Sequence, residues 1–320
     1  MISITALTNL NNAVPWGLWV SIYIWLVGIS AGAFMLVAWF NIQSSQNLKK
    51  TTRLGLILAL STLCAGLLSI QIDLGHIERF HKLFTSPNLE SVMDAMVWLY
   101  GVYFAIIAIS LLRLKRGISK QFFLFFFVFA LAVIVLESLL FARPPGKHWH
   151  SLIFPIHFLA SSLVSGLAGL MAAVGIVWAK KEKEELLKGL GKIAMPLIAI
   201  NLVIEIIDMF LTSSISHIGS WVLVLGNIIV IALLFRRNSF AISLAGCIGL
   251  IVVWLSKYNS LISAQIVEPF KGFAQAYIEP GLRFSYTPSS FEFFVSILLI
   301  GLAISLFYFL YKVLPFTRGE

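Results

Sequence analysis

Long runs of apolar residues, free of Lys and Arg and ended by charge or by Pro and Gly, recur along almost the whole chain. Nine can be placed: Trp16–Phe40, Leu54–Asp73, Ala95–Leu112, Phe122–Ala142, Leu152–Ala179, Ile193–Thr212, Ile215–Phe235, Ser239–Lys257 and Phe291–Leu314. Each is close to the ~20 residues a helix needs to cross the hydrocarbon of a bilayer. The pattern predicts an all-α, polytopic transmembrane helix bundle of about nine spans. Arg236 and Arg237 leave only a tight hairpin between the seventh and eighth runs, so eight spans is the alternative. Little chain remains between the runs, and residues 1–320 read as a single transmembrane domain.

Composition removes the soluble alternative. The 320 residues are 59% hydrophobic and 12% charged, with a mean hydropathy of +0.95, whereas a soluble domain carries roughly 25% charged residues. The net charge of +9 does not indicate nucleic acid, because the basic residues are scattered through short loops and form no continuous face. They read instead as a topology signal. Sixteen of the 23 Lys and Arg fall in the loops of one side, around Lys49–Arg53, Arg113–Lys120, Lys180–Lys192, Arg236–Arg237 and the C-terminus. By the positive-inside rule the N-terminus is outside and the C-terminus cytoplasmic. Residues 1–48 hold no charged side chain, so the positive start of a secretory signal is missing and the first span is expected to be retained.

Acidic residues divide the other way. Of the 14, only Glu182, Glu184, Glu185 and Glu320 are on the basic side. A charge at mid-bilayer costs roughly 2.5–3.5 kcal/mol, so carboxylates inside spans are functional candidates. Glu137, Glu205 and Asp208 qualify, and Asn201, Glu205 and Asp208 share one helical stripe at i, i+4 and i+7. At about 1.5 Å per residue, Tyr23, Glu137, His157, Glu205 and Asp208 all come within roughly 6–10 Å of the outer ends of their spans. Together they suggest a pocket in the outer leaflet; the structural alternative is that they pair and hold helices together. The inner half has no acidic counterpart, so no carboxylate wire leads to the cytoplasm.

Three chemistries compete for such a layer: a quinone site, haem ligation and proton-coupled transport. All six histidines lie in outer loops or outer helix ends, whereas a transmembrane di-haem site needs axial pairs in both leaflets. A transporter built from inverted repeats predicts two related halves, and no repeat is evident. The two cysteines, Cys64 and Cys247, are too few for the roughly four thiolates of an iron–sulfur cluster. Any cluster must sit on a partner. Bland readings cover the loops: Glu78 and Arg79 as a surface pair, His148 and His150 as solvated, Arg143-Pro144-Pro145-Gly146 as a rigid turn, and Lys180–Lys192 as a solvated inner loop.

Four segments resemble a known family, the polysulfide reductase membrane subunits, also called NrfD/PsrC. They are Pro15-Trp16-Gly17 through Gly28-Ile29-Ser30-Ala31-Gly32 in the first span, Asp73-Leu74-Gly75…Arg79-Phe80 with Ser91-Val92-Met93, Phe158-Leu159-Ala160-Ser161…Ser165-Gly166 in the fifth span, and Tyr286-Thr287-Pro288-Ser289…Glu292. The resemblance implies a haem-free membrane subunit of the bacterial cytoplasmic membrane. Such a subunit exchanges electrons between quinone, here menaquinone/quinol, and a 4Fe-4S iron–sulfur subunit. That subunit in turn serves a molybdopterin or multihaem cytochrome catalytic subunit on the extracytoplasmic face. Carried over by position, Tyr23 and Asp73 become quinone-site and proton-handling residues, with Asp208 and Glu205 as further catalytic candidates. His157, Glu137 and Asn201 join Tyr23 as candidate quinone contacts. The remaining readings are a haem b membrane anchor and a proton-coupled transporter.

Overall fold

The first apolar run is the most uniformly buried, and the reason lies in its small residues. The computed structural model describes residues 14–43, 45, 47–75, 77–86, 90–142, 153–177, 180–211, 218–266 and 285–314. In it helix α1, Leu18–Ile42, runs through the centre of the bundle and packs against five other long helices. These are α2 (Thr52–Asp73), α4 (Lys120–Ala142), α5 (Ile153–Val177), α8 (Ser239–Ser263) and α9 (Ser290–Val313). Gly32 of α1 and Gly166 of α5 face each other so closely that a Cβ on either would strike the other helix's backbone. Backbones that approach to this degree need small residues at the crossing.

The other elements follow the predicted order. Helices α3 (Val92–Arg113), α6 (Lys180–Leu211) and α7 (Ile218–Phe235) complete the set. Among the described residues, eight helices are long and apolar enough to cross a membrane, and α7 is a shorter apolar one. At about 1.5 Å per residue its 18 residues extend some 27 Å. The outer faces of α4 and α9 expose Phe122, Phe125, Phe291, Phe293 and Phe294 by half or more, as side chains solvated by lipid require. The chain is a multi-pass membrane protein.

Two expectations are corrected. Lys180–Lys192 is not a loop: it is the start of α6, with Leu186, Leu187 and Leu190 buried against the core and charges on the opposite face, including a Glu184–Lys188 pair at 2.7 Å. An apolar stripe one turn apart suffices to continue the helix past the bilayer surface. Nor does the eighth run end at Lys257. Helix α8 continues to Ser263 because no Pro or Gly interrupts it there, and Lys257 lies inside the protein, 4% exposed. Glu78 and Arg79 form the expected exposed pair at 3.9 Å. The Arg143–Gly146 turn, His148 and His150 lie outside the described residues.

Hydrogen bonds fasten one end of the bundle. Ser289 and Glu292 form a reciprocal capping box at the start of α9. The Tyr286 hydroxyl accepts from the backbone N–H of Leu18 at 2.7 Å and donates to Glu292 Oε1 at 2.8 Å. Burial, reinforced by the Glu292 carboxylate, pushes the Tyr286 phenol well above its ordinary range and keeps it a donor. Gly17 leaves room for that hydroxyl. Gln265, just past α8, clamps Trp16 with bonds of 3.0 and 2.9 Å to its N–H and C=O.

Candidate functional site

Four helices bring the site together at this fastened end. Ser91 caps α3 by accepting from the Asp94 N–H at 3.4 Å, which fixes the register of a helix carrying Tyr100 two turns in. Tyr23 of α1 meets it with hydroxyl oxygens 2.7 Å apart and rings edge to face, centroids 6.3 Å apart. Helix α4 adds Glu137, fully buried. Its carboxylate faces the Tyr23 and Tyr100 hydroxyls closely enough to interact with both and is within electrostatic reach of the Lys257 ammonium, but no contact among the described residues meets full hydrogen-bond geometry. One turn beyond Tyr100, Tyr103 bonds Ser30 at 3.2 Å.

Against the two tyrosines lies a cavity of about 300 Å³. Trp16, Val20 and Tyr23 form one wall, and Leu67, Ile70 and Gln71 of α2 another. Met93, Met96, Tyr100 and Phe104 of α3 face them, with Leu140 and Phe141 of α4 at the back. Phe80, Leu83 and Phe84, from the segment between α2 and α3, cover the end. Phe84, Met93 and Phe104 are each about two-fifths exposed, so the mouth opens on the apolar flank of the bundle. The lining is apolar apart from two phenols and the Gln71 amide, a composition suited to a flat, lipophilic ligand with one or two oxygens.

A second polar group occupies α5–α8. Glu205 of α6 accepts from Asn227 Nδ2 of α7 at 2.8 Å and from Ser256 Oγ of α8 at 2.7 Å. Ser256 Oγ is in turn 3.5 Å from His157 Nε2 of α5. Between the two groups Lys257 rests its ammonium 3.5 Å above the centre of the Phe158 ring. A cavity of about 20 Å³ adjoins it, lined by His157, Ser161, Ser256, Lys257 and Ser260 among apolar neighbours. Phe141 borders both cavities.

The sequence candidates therefore separate. Tyr23 lines the large cavity and Glu137 lies beside it; His157 and Glu205 join through Ser256 away from it. Asn201 is buried one turn from Glu205, its Oδ1 without a partner among the described residues. Asp208 is half-buried and interacts electrostatically with Glu205. Asp73 is half-buried at the end of α2, within electrostatic reach of Glu292, and does not line the cavity. Tyr100, Gln71, Lys257, Ser256 and Asn227 were missed. Tyr100 and Tyr103 share a helical face, and Lys257 lies in a stretch without helix breakers; both signals were present in the sequence.

The family model described as "Polysulphide reductase, NrfD" matches residues 6–268. The chain belongs to the NrfD polysulphide reductase family. NrfD relatives include a subunit of the selenate reductase of Mesobacillus selenatarsenatis, 27% identical over 97% of this chain and 87% of its own. The integral membrane subunit of an Hdr-like menaquinol oxidoreductase of Archaeoglobus fulgidus is 25% identical over 94% and 85%. A component of the polysulfide reductase of Wolinella succinogenes is 26% identical over 54% and 62%. All three relatives carry the names of oxidoreductase components, and the Archaeoglobus fulgidus one that of an integral membrane subunit. The NrfD match takes in α1 to α8 and the motifs of the first, second and fifth spans; Tyr286–Glu292 lies beyond it, where the structure gives that motif a latching role.

Proposed function

We propose that this NrfD protein is the quinol-oxidising membrane subunit of a respiratory oxidoreductase. The observation that carries the reading is the 300 Å³ apolar cavity with the Tyr23–Tyr100 hydroxyl pair on its wall and Glu137 beside it. Oxidising a quinol removes two electrons and two protons, so the site needs hydrogen-bond partners for oxygen and a proton acceptor nearby. The tyrosine pair holds one quinol oxygen, and Gln71 is available to the other. Glu137, facing both phenols and held by no close hydrogen bond, accepts the proton. Asp73, at the same end of the bundle, hands protons to the surface near Glu292.

The electrons leave to a 4Fe-4S subunit docked on the outer loops, and from there to a molybdopterin or multihaem cytochrome subunit. The NrfD relatives in selenate and polysulfide reductases support such partners, and the relative named a menaquinol oxidoreductase supports menaquinol as donor. With Lys257 inside the bundle, the 16-to-6 division of the other Lys and Arg supports an extracytoplasmic docking face in the bacterial cytoplasmic membrane, with the N-terminus outside.

The test is turnover in the complex purified from native membranes. With a menaquinol analogue as donor, Tyr23→Phe should lower the rate by about 10²-fold while iron content and assembly are unchanged. A variant that keeps the wild-type rate would remove the tyrosine pair from the reaction.

A further inference from the structure

Lys257 is a buried cation that quinol binding does not use. Its Nζ has no hydrogen-bond partner among the described residues, although Glu137 lies within electrostatic reach. An ion pair kept for structure would close to hydrogen-bond distance, because only good geometry offsets the desolvation of two charges. Here the ammonium stands on the Phe158 ring, in space that Gly28 provides: a Cβ there would lie 3.3 Å from Lys257 Cε. On its other side is the 20 Å³ cavity, large enough for one water, with Ser161, Ser256 and Ser260 among its lining residues. Through Ser256 this cavity reaches Glu205, and one turn along α6 from Glu205 is half-buried Asp208.

We propose that Lys257, with one water held in the small cavity, carries protons from the quinol cavity across the bundle to Glu205 and on to Asp208. The inference rests on the quinol reading above. A proton leaving a quinol oxygen neutralises the Glu137 carboxylate, which strips the Lys257 ammonium of its counter-charge. Lys257 gives a proton to the water, the water gives one to Ser256, and Ser256 gives its own to Glu205. The uncharged amine, no longer held on the Phe158 ring as a cation, swings to Glu137 and takes its proton, restoring the carboxylate–ammonium pair. One proton enters and one leaves in each cycle, the quinol's other proton leaves by way of Asp73, and both electrons go to the iron–sulfur partner. Phe141, shared by both cavities, keeps the ligand from the water.

The experiment compares the intact complex with its Lys257→Met and Lys257→Arg forms, using a menaquinol analogue as donor. Arg retains the charge but does not release its proton in proteins. Both variants should lose at least about tenfold in kcat with little change in KM. An Arg form at the wild-type rate would show that charge alone suffices and overturn the relay, as would a rise in KM with kcat unchanged. Should neither variant assemble, the unmodified complex decides: a density map that shows ordered water should carry one peak beside Lys257, and a dry cavity overturns the bridge. If the unmodified complex oxidises no quinol, the functional reading falls and takes the relay with it. If it does and the Arg form matches it, only the relay falls.

Discussion

Glu137 and Glu205 are both buried in one bundle, yet their surroundings are opposite. Glu205 is bonded at both oxygens, by Asn227 and Ser256, in a region whose cavity holds no more than a water. Glu137 makes no close hydrogen bond among the described residues and faces the two tyrosines that line a cavity of ligand size. A satisfied buried carboxylate holds helices together and receives a proton along a bond already made, as Glu205 does from Ser256 in the proposed relay. An unsatisfied one beside a cation and a cavity is arranged for a changing charge. Burial alone does not distinguish them; hydrogen-bond satisfaction does.

The contrast is broken most severely at Glu137. Glu137→Gln should reduce quinol turnover by about 10²-fold or more, measured as kcat in the assembled complex. Stability gives an independent contrast. Removing one member of a buried charge pair costs roughly 3–5 kcal/mol, whereas replacing both with apolar residues is often neutral. Glu137→Leu should therefore lower the thermal midpoint of the detergent-solubilised subunit, and adding Lys257→Met should recover most of the loss. Glu205 has no such rescue: Glu205→Leu strands Asn227 and Ser256 and should cost about 1–3 kcal/mol whether or not Lys257 is present. The smallest effect belongs to the fastened end, where Ser289→Ala removes the cap of α9 and should cost about 1 kcal/mol in the same melting assay with turnover unchanged.

Much of the fold was legible because a bilayer makes the code simple. Apolar runs of span length give the helices, and small residues such as Gly32 and Gly166 give the close crossing. The polar layer was legible too, since Tyr23, Glu137, His157 and Glu205 stood out as polar groups within apolar runs. Its division into two groups was not. That depends on which way each helix turns about its axis, which is set by packing between helices far apart in sequence. Lys257 was read as a loop charge because a charge was taken to end a span, while the helix itself ends only where its backbone bonding ends. Lys180–Lys192 was misread for the same reason. In the Tyr286–Glu292 motif the residues were visible, but the bond from Tyr286 to Leu18 spans nearly the whole chain and leaves no local trace.

The central claim is that quinol binds among α1, α2, α3 and α4. A photoreactive quinone analogue, bound to the complex in native membranes, cross-linked and mapped by peptide mass spectrometry, tests it most directly. The account predicts labels on Trp16–Tyr23 and Met93–Phe104, lost when unmodified menaquinol is added in excess. Competed labels confined to α5–α8 would contradict it.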